Sequence, residues 1–581
     1  MNQRAWIFFR WASVLLGALA LAGAGQALLH SQPPAVVEAP TWLFAALGVG
    51  FLGLWLLLWC GLSLGFGLGL DLGRRTALQG SLAWCLALAW PAARRIHLPY
   101  PHDLPERALQ ILLAAALLSG LALSLWRFLG AVQRSSALAA RSPRWMALRL
   151  GGLIWIVYLA SSLWTWRWLM TGDAPTYVLI SATLSKEGSV DLRRDYLGGE
   201  WRRYYPLERD LETPAYIVNN KMVSEHRPLL PLLLAPGYKV GGFAGAFWIH
   251  CFLGALATAL FYLLLRHRGM EPGPALWGWA VFALGAPWLI FTQSILVEVL
   301  AGLCGLAWLC AWEGVLPRAL AWLLPALMPW IGTRLTVCSA GACLAWAWAW
   351  RKQPFKALGP GLLLALSLAL NSLSNRWILG DASLQAYYNT NGLPVHAMFS
   401  LTQSPRYLFG LLIDQEYGLL PWAPVLLLAA LGFSLWVRRR DRLLLPLLGW
   451  GLPYFALMSC FSYWTGPMAP ARYLIPLVPF AALAVAEGAP ALAPRRWPLW
   501  LAGLSWVLAL VMEALPWFCF SKGQGECWPL RFLQRPLGLR LTPAFPSFII
   551  NTPQSYLWAL ALVLVAIRLA WHPALARRHP H

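Results

Sequence analysis

Residues 171–228, TGDAPTYVLISATLSKEGSVDLRRDYLGGEWRRYYPLERDLETPAYIVNNKMVSEHRP, form the longest polar interval of a chain otherwise built from apolar runs. Nine of the chain's 23 carboxylates (Asp173, Glu187, Asp191, Asp195, Glu200, Glu208, Asp210, Glu212 and Glu225) lie in these 58 of 581 residues. The run before it, roughly residues 149–170, is long enough to cross a bilayer. Asp173 follows that run almost at once, so the end of the span fixes its carboxylate at a water interface. A carboxylate held there can act on molecules lying in the membrane.

The rest of the chain agrees with this reading. Hydrophobic residues make up 59% and charged residues only 12%, a balance that excludes a soluble globule and identifies an all-α polytopic membrane protein. The apolar runs are about 18 to 25 residues long, enough for a helix to cross a core near 30 Å thick while satisfying its own backbone hydrogen bonds. Strands of a β-barrel would be half as long.

The formal net charge is +22. Its basic residues sit in short loops between apolar runs: LGRR at 72–75, RHR at 266–268, RKQPFK at 351–356, RRRDR at 438–442, PRR at 494–496 and ARRH at 576–579. They form no single basic face for nucleic acid; they mark loops held on the cytoplasmic side. Of ten cysteines, eight lie in or beside apolar runs, where a small buried hydrophobe is the plain reading. Cys519 and Cys527 share a loop assigned to the other side, where a disulfide and two free thiols both fit. No zinc or haem spacing is present, so no cofactor is expected, with a divalent metal left open.

Taken in order, the N-terminus has a basic start and an apolar centre like a signal peptide, and is read as an uncleaved anchor. Further spans are expected at about 42–66, 77–92, 107–127 and 149–170. The segment RPLLPLLLAPGYKVGG (227–242) carries several prolines and reads as an interfacial or re-entrant helix. Crossings then follow near 242–265, 274–291, 294–313, 317–331, 335–350, 358–377, 418–437, 442–462, 470–487, 498–518 and 554–570. The total is about 16 spans, with both termini cytoplasmic and the loops 171–228, 378–417 and 519–553 outside. Residues 1–131 read as an N-terminal appendage of about four spans, 148–500 as the core, and 501–581 as C-terminal spans with an outer loop.

That topology gathers the unusual ionisable residues on the outer face: Asp173, Glu298, Arg334, Arg406, Asp414, Glu416 and Arg472. Glu298 and Arg334 each interrupt an apolar helix, where an unpaired ionisable group costs about 2.5 to 3.5 kcal/mol on insertion scales. They must pair, as a tether between helices or as the lining of a hydrated cavity. Asp173 is expected beside the N-terminus of an amphipathic helix, PTYVLISATLSKEG, lying on the membrane. Glu187, Glu200 and Glu208 read as solvated loop residues. The 37 tryptophans fit interfacial belts and lipid contact.

TGDAPTYVLISATLSKEGSVDL resembles the first outer loop of bacterial GT-C glycosyltransferases, polytopic enzymes that use polyprenyl-phosphate-linked sugars and are related to protein O-mannosyltransferases and the lipid A aminoarabinose transferase. HRPLLPLLLAP (226–236), VEVLAG around Glu298, DQEYGLLPWAPV (414–425) and GPMAPARYLIPLVPF (466–480) resemble further segments of such proteins, and the likeness covers roughly residues 148–500. It implies a GT-C-like helix bundle of the bacterial cytoplasmic membrane with an outer-face active site. The expected reaction is inverting transfer of a hexose or pentose from a polyprenyl-phosphate donor to a hydroxyl of a glycan, lipid or protein acceptor, with no nucleic-acid partner. The resemblance makes Asp173 the catalytic base. Arg227, Arg334, Arg406 and Arg472, with His226, are the expected phosphate-binding groups, because a guanidinium stays charged and binds phosphate through two donors. Glu298, Asp414 and Tyr177 are expected to line the cavity. The pattern departs from the acidic pair Gly-Asp-Glu-Pro common in that loop, since Gly172, Asp173, Ala174 and Pro175 stand here. A transporter or flippase of a lipid-linked saccharide, and an O-antigen ligase or polymerase, are the rival readings.

Overall fold

A computed structural model of the chain describes residues 142–572, apart from 206–209, 213–214, 390–394, 467, 493–496, 515, 521–522 and 538–540. The four spans expected within residues 1–131, Glu208, and the basic clusters at 72–75, 494–496 and 576–579 lie outside the described residues. The described part is mostly helical and is that of a membrane protein: the helices at Pro143–Ser162, Leu229–His267, Pro354–Leu379 and Pro553–Ala570 are long and apolar enough to cross a bilayer. These four fall on the crossings expected near 149–170, 242–265, 358–377 and 554–570.

The other expected crossings fall on shorter or broken helices. The run at 274–291 is split into Pro272–Ala283 and Ala286–Phe291 at Gly285. Leu320–Ile331 carries Pro325 and Pro329 in only 12 residues. Pro424–Arg439 and Leu444–Ser459 meet at 117° across residues 440–443, where a loop is expected between the crossings at 418–437 and 442–462. An apolar window therefore located each segment without fixing whether the helix runs unbroken through it.

The proline-rich segment after residue 227 shows why. Helical structure runs over Leu229–His267, but Gly241 and Gly242 leave the helical region, with Gly242 at φ 58° and ψ −144°. Residues eight apart in a continuous helix are separated by about 12 Å. Here a Cβ added to Gly237 would lie 2.5 Å from the carbonyl oxygen of Gly245, so the chain folds back at the glycine pair. A separate helix over 229–240 followed by a crossing helix is the observed arrangement. The Leu229–His267 run as a whole packs against Pro143–Leu169, Ala174–Glu187 and Val297–Glu313.

The Ala174–Glu187 helix corrects the expectation of an amphipathic helix lying on the membrane. Every residue from Ala174 to Thr183 is buried, which requires protein on all sides of the helix. The described residues of the polar interval that follows are tied together by hydrogen bonds and ion pairs. Its hairpin pairs Ala215–Val218 with Lys221–Ser224, and Met222 is tied back by its N–H to Asp191 Oδ1 at 2.9 Å. Glu200 is buried, not solvated: Lys186 Nζ lies 2.8 Å from its Oε2 and Tyr238 donates to its Oε1. Glu187 pairs with Arg194 at 3.0 Å.

The Val297–Glu313 helix sets the scale of the molecule. Its 17 residues span about 25 Å at 1.5 Å per residue, and an acidic residue stands at each end. Glu313 joins Arg268 Nη1 at 2.9 Å, and the same guanidinium holds Asp441 at 2.7 Å and Glu487 at 2.5 Å. These four residues come from segments expected to face the cytoplasm. Glu298, at the other end, belongs to the cluster described next.

Candidate active site

Asp173 occupies the N-cap position of the Ala174–Glu187 helix, yet its side chain makes no capping hydrogen bond. An aspartate there ordinarily accepts from the first turn. This carboxylate instead turns to Arg472, whose Nη2 donates to Asp173 Oδ2 at 2.6 Å. Arg472 Nε donates to Glu298 Oε1 at 3.0 Å, and Arg334 Nη2 donates to the same Oε1. The result is an alternating chain, Asp173, Arg472, Glu298, Arg334, assembled from four distant parts of the sequence. Its formal charges cancel, which is what allows so many ionised groups to share a buried site.

Exposure orders the four. The side chains of Glu298 and Arg472 retain 1% and 3% of their exposure, whereas Asp173 retains 33% and Arg334 21%. The inner pair is a foundation, and the outer carboxylate and outer guanidinium meet whatever enters. The ring of Tyr473 supports both arginines, with the Arg334 and Arg472 guanidinium carbons 4.6 and 5.6 Å from its centroid. Tyr473 escaped the sequence reading, although it directly follows Arg472. Burial pushes the Asp173 carboxyl up, but the Arg472 guanidinium, with Arg334 behind it, carries the net shift well below the usual carboxylate range.

His226 closes one side. Its ring stacks on Tyr177, centroids 4.5 Å apart and planes at 23°, and its Nε2 lies 3.9 Å from Asp173 Oδ1. Burial lowers the imidazole below its ordinary value, and Arg472 and Arg334 add to this against the pull of Asp173 and Glu298. Three buried polar atoms of this region have no hydrogen-bond partner: His226 Nε2, Glu298 Oε2 and Tyr454 OH. A buried polar atom without a partner calls for an explanation, by a bound water or ligand, a catalytic role or strain.

The backbone that presents Arg472 is itself constrained. Ala471 adopts φ 31° and ψ 56°, a left-handed conformation costing a non-glycine residue roughly 1–2 kcal/mol. Its N–H donates to Tyr417 O at 2.7 Å. Tyr417 in turn belongs to a hub at 414–417.

Two expected phosphate-binding arginines are committed elsewhere. Arg227 directs its N–H groups at Thr333 Oγ1, Asn371 Oδ1, Asn375 Oδ1 and Leu384 O, at 2.7 to 3.4 Å. It fastens the start of the Leu229–His267 run to the end of Pro354–Leu379. Arg406 donates from Nε to Phe548 O at 2.7 Å and from Nη2 to Ile549 O at 2.8 Å. Asp414, expected in the cavity, is fully buried and accepts from the N–H groups of Glu416, Tyr417 and Phe548 at 2.7 to 3.0 Å. Burial raises it to about 6 against those backbone donors. Glu416 accepts from Gly523 N and Gly525 N at 2.9 and 2.8 Å. These residues bind the 519–553 loop to the core. Cys519 and Cys527, in that loop, are buried free thiols and form no disulfide.

A further buried carboxyl was not anticipated. Glu513 accepts from Ser161 Oγ and from Gln293 Nε2, the latter at 2.6 Å, and Gln293 Oε1 accepts from Thr165 Oγ1 at 2.5 Å. These neutral partners join three helical segments around the break before Val297. Among the described residues no group of three or more His, Cys, Asp and Glu side chains is arranged to hold a metal ion.

No family model matches the chain, and neither a curated protein nor a solved structure matches it.

Proposed function

We propose that the protein is a membrane glycosyltransferase of GT-C type that transfers a sugar from a polyprenyl-phosphate donor to an acceptor hydroxyl at the outer face of the bacterial cytoplasmic membrane. The observation that carries this reading is the Asp173, Arg472, Glu298, Arg334 chain, with a part-exposed carboxylate at one end and a part-exposed guanidinium at the other. In the reaction the acceptor oxygen forms a bond to the sugar's anomeric carbon as the bond from that carbon to the phosphate oxygen breaks. The phosphate leaves with the electron pair, and its charge grows from one to two. Arg334 neutralises that growth, because it uses only one of its five N–H donors on Glu298 among the described residues. The acceptor's proton passes to Asp173, where positioned proton transfer contributes about 10²- to 10⁴-fold.

Asp173 is a weak base while Arg472 holds it. An arriving phosphate competes for the two guanidiniums and so loosens their hold on the carboxylate, making Asp173 more basic once the donor is in place. Arg227, Arg406 and Asp414 serve this site by holding its frame.

The full topology belongs to the same proposal: about 16 spans, both termini cytoplasmic, the Arg268 cluster inside and the Asp173 cluster outside, following the positive-inside bias. So does the division into an appendage at 1–131, a transferase core at 148–500 and C-terminal spans at 501–581. A flippase would carry polar groups along its path through the bilayer. Between Glu298 and Glu313 the helix reads VLAGLCGLAWLCAW, without one charged residue, which favours the transferase. Mass spectrometry of envelope glycans and lipid-linked sugars, with and without the gene, tests the reading: loss of one glycan substituent with accumulation of its polyprenyl-phosphate sugar supports it, and an unchanged glycan profile refutes it.

A further inference from the structure

The spacing between His226 and Asp173 is informative because it is wrong for a hydrogen bond and right for something between the two groups. His226 Nε2 and Asp173 Oδ1 are 3.9 Å apart. Nε2 is buried without a partner, and stacking on Tyr177 keeps the ring from swinging away. An oxygen atom off the line joining them reaches both at ordinary hydrogen-bond lengths of about 2.8–3.0 Å. We infer that His226 Nε2 and Asp173 Oδ1 form a two-point seat for the acceptor hydroxyl, so that His226 positions the acceptor and not the donor phosphate.

Hydrogen-bond inventory fixes the direction of both contacts. An ionised Asp173 can only accept, and a hydroxyl has one proton to give. The hydroxyl therefore donates to Asp173 Oδ1, and its oxygen must receive from His226 Nε2–H. That leaves the second lone pair of the hydroxyl oxygen to attack the sugar and aims its proton at the carboxylate. The groups facing the imidazole are Asp173, Glu298, Arg334, Arg472 and Tyr177. The phosphate side of the site belongs to Arg334, on the far end of the chain of ion pairs from Asp173.

The inference deepens the transferase reading and rests on it. The test uses the full-length protein in nanodiscs, as wild type and as His226→Phe, whose ring preserves the stack on Tyr177 without the N–H donor. An experimental structure of the unliganded wild type at a resolution that shows waters should place one oxygen within about 3.2 Å of both atoms, and that oxygen should be absent from the Phe variant. Polyprenyl monophosphate should bind both proteins within about twofold, and His226→Gln, which keeps an N–H, should hold the oxygen. An empty gap in the wild type, or a tenfold or greater loss of polyprenyl monophosphate affinity in His226→Phe, overturns the seat and returns His226 to the phosphate. Failure of the wild type to bind polyprenyl monophosphate would count against the transferase reading itself. The bridging oxygen is read out separately from that result.

Discussion

Arg472 bridges Asp173 and Glu298: its Nη2 lies 2.6 Å from Asp173 Oδ2 and its Nε 3.0 Å from Glu298 Oε1. Two carboxylates on different helices thus share one buried guanidinium. Removing it leaves both without their common counter-charge, and breaking a buried pair in this way costs about 3–5 kcal/mol. Arg472→Ala should accordingly lower the unfolding midpoint sharply. Arg472→Lys should recover part of that stability and little transfer, since a single ammonium cannot reproduce a fork aimed at two acceptors. Tryptophan-fluorescence melts and release of polyprenyl phosphate, measured on the same preparations, check both statements. Wild-type turnover in the Lys variant would contradict them.

Glu298 neutralises both arginines from below. Glu298→Gln should therefore tighten binding of polyprenyl monophosphate several-fold, because Arg334 and Arg472 would then share only Asp173 as counter-charge. Titration of the purified variants in detergent measures it. Weaker binding in a well-folded variant would show that Glu298 acts by orienting the arginines and not by offsetting their charge.

His226 gives a pH signature. Its folded value lies below the ordinary imidazole value, so the unfolded chain takes up a proton that the folded protein resists. This contribution to stability is complete above about pH 6.5 and declines as the pH falls through that value toward the folded one. Unfolding midpoints of the wild type and His226→Phe should thus be offset by a constant amount above pH 7, and the wild type should lose more than the variant on going to pH 5.5. Parallel curves across the whole range would contradict the buried neutral imidazole.

How much of this was legible in the sequence depends on what the residues had to pair with. Glu298 and Arg334 could be matched because an intramembrane charge demands a partner of opposite sign, and few were present. Arg472 and Asp173 could be assigned to the same face by following the alternation of spans. Arg227, Arg406 and Asp414 share one feature that hides their structural ties: the hydrogen bonds described for them reach neutral side chains and backbone groups, among them Thr333, Asn371, Asn375, Phe548 and Ile549. A sequence does not advertise such groups as binding sites. The polar residues of the Ala174–Glu187 helix recur with helical spacing and so suggest a surface helix, but Ser181 and Thr183 bond back to the carbonyls of Tyr177 and Leu179, which lets them sit inside the fold.

Sidedness is open to direct labelling. Ile217, 65% exposed in the hairpin, and Arg439, exposed at the end of the Ala429–Arg439 helix, lie in segments assigned to opposite faces by charge bias. Cysteines placed at these positions in a cysteine-free background should react with an impermeant maleimide from outside and only after permeabilisation, respectively. Labelling of both from one side would remove the outer-face site.

The most direct test of the central claim compares the wild type with Asp173→Asn in release of polyprenyl phosphate from a panel of polyprenyl-phosphate sugars, with cell-envelope extract supplying the acceptor. The amide preserves the size of the side chain and can still accept from Arg472, but it cannot take the acceptor's proton. Release should fall by about 10²-fold or more, while polyprenyl monophosphate still binds within a few-fold of the wild type. Full release by a correctly inserted Asp173→Asn protein would contradict the account, because the acceptor's proton would then leave by another route.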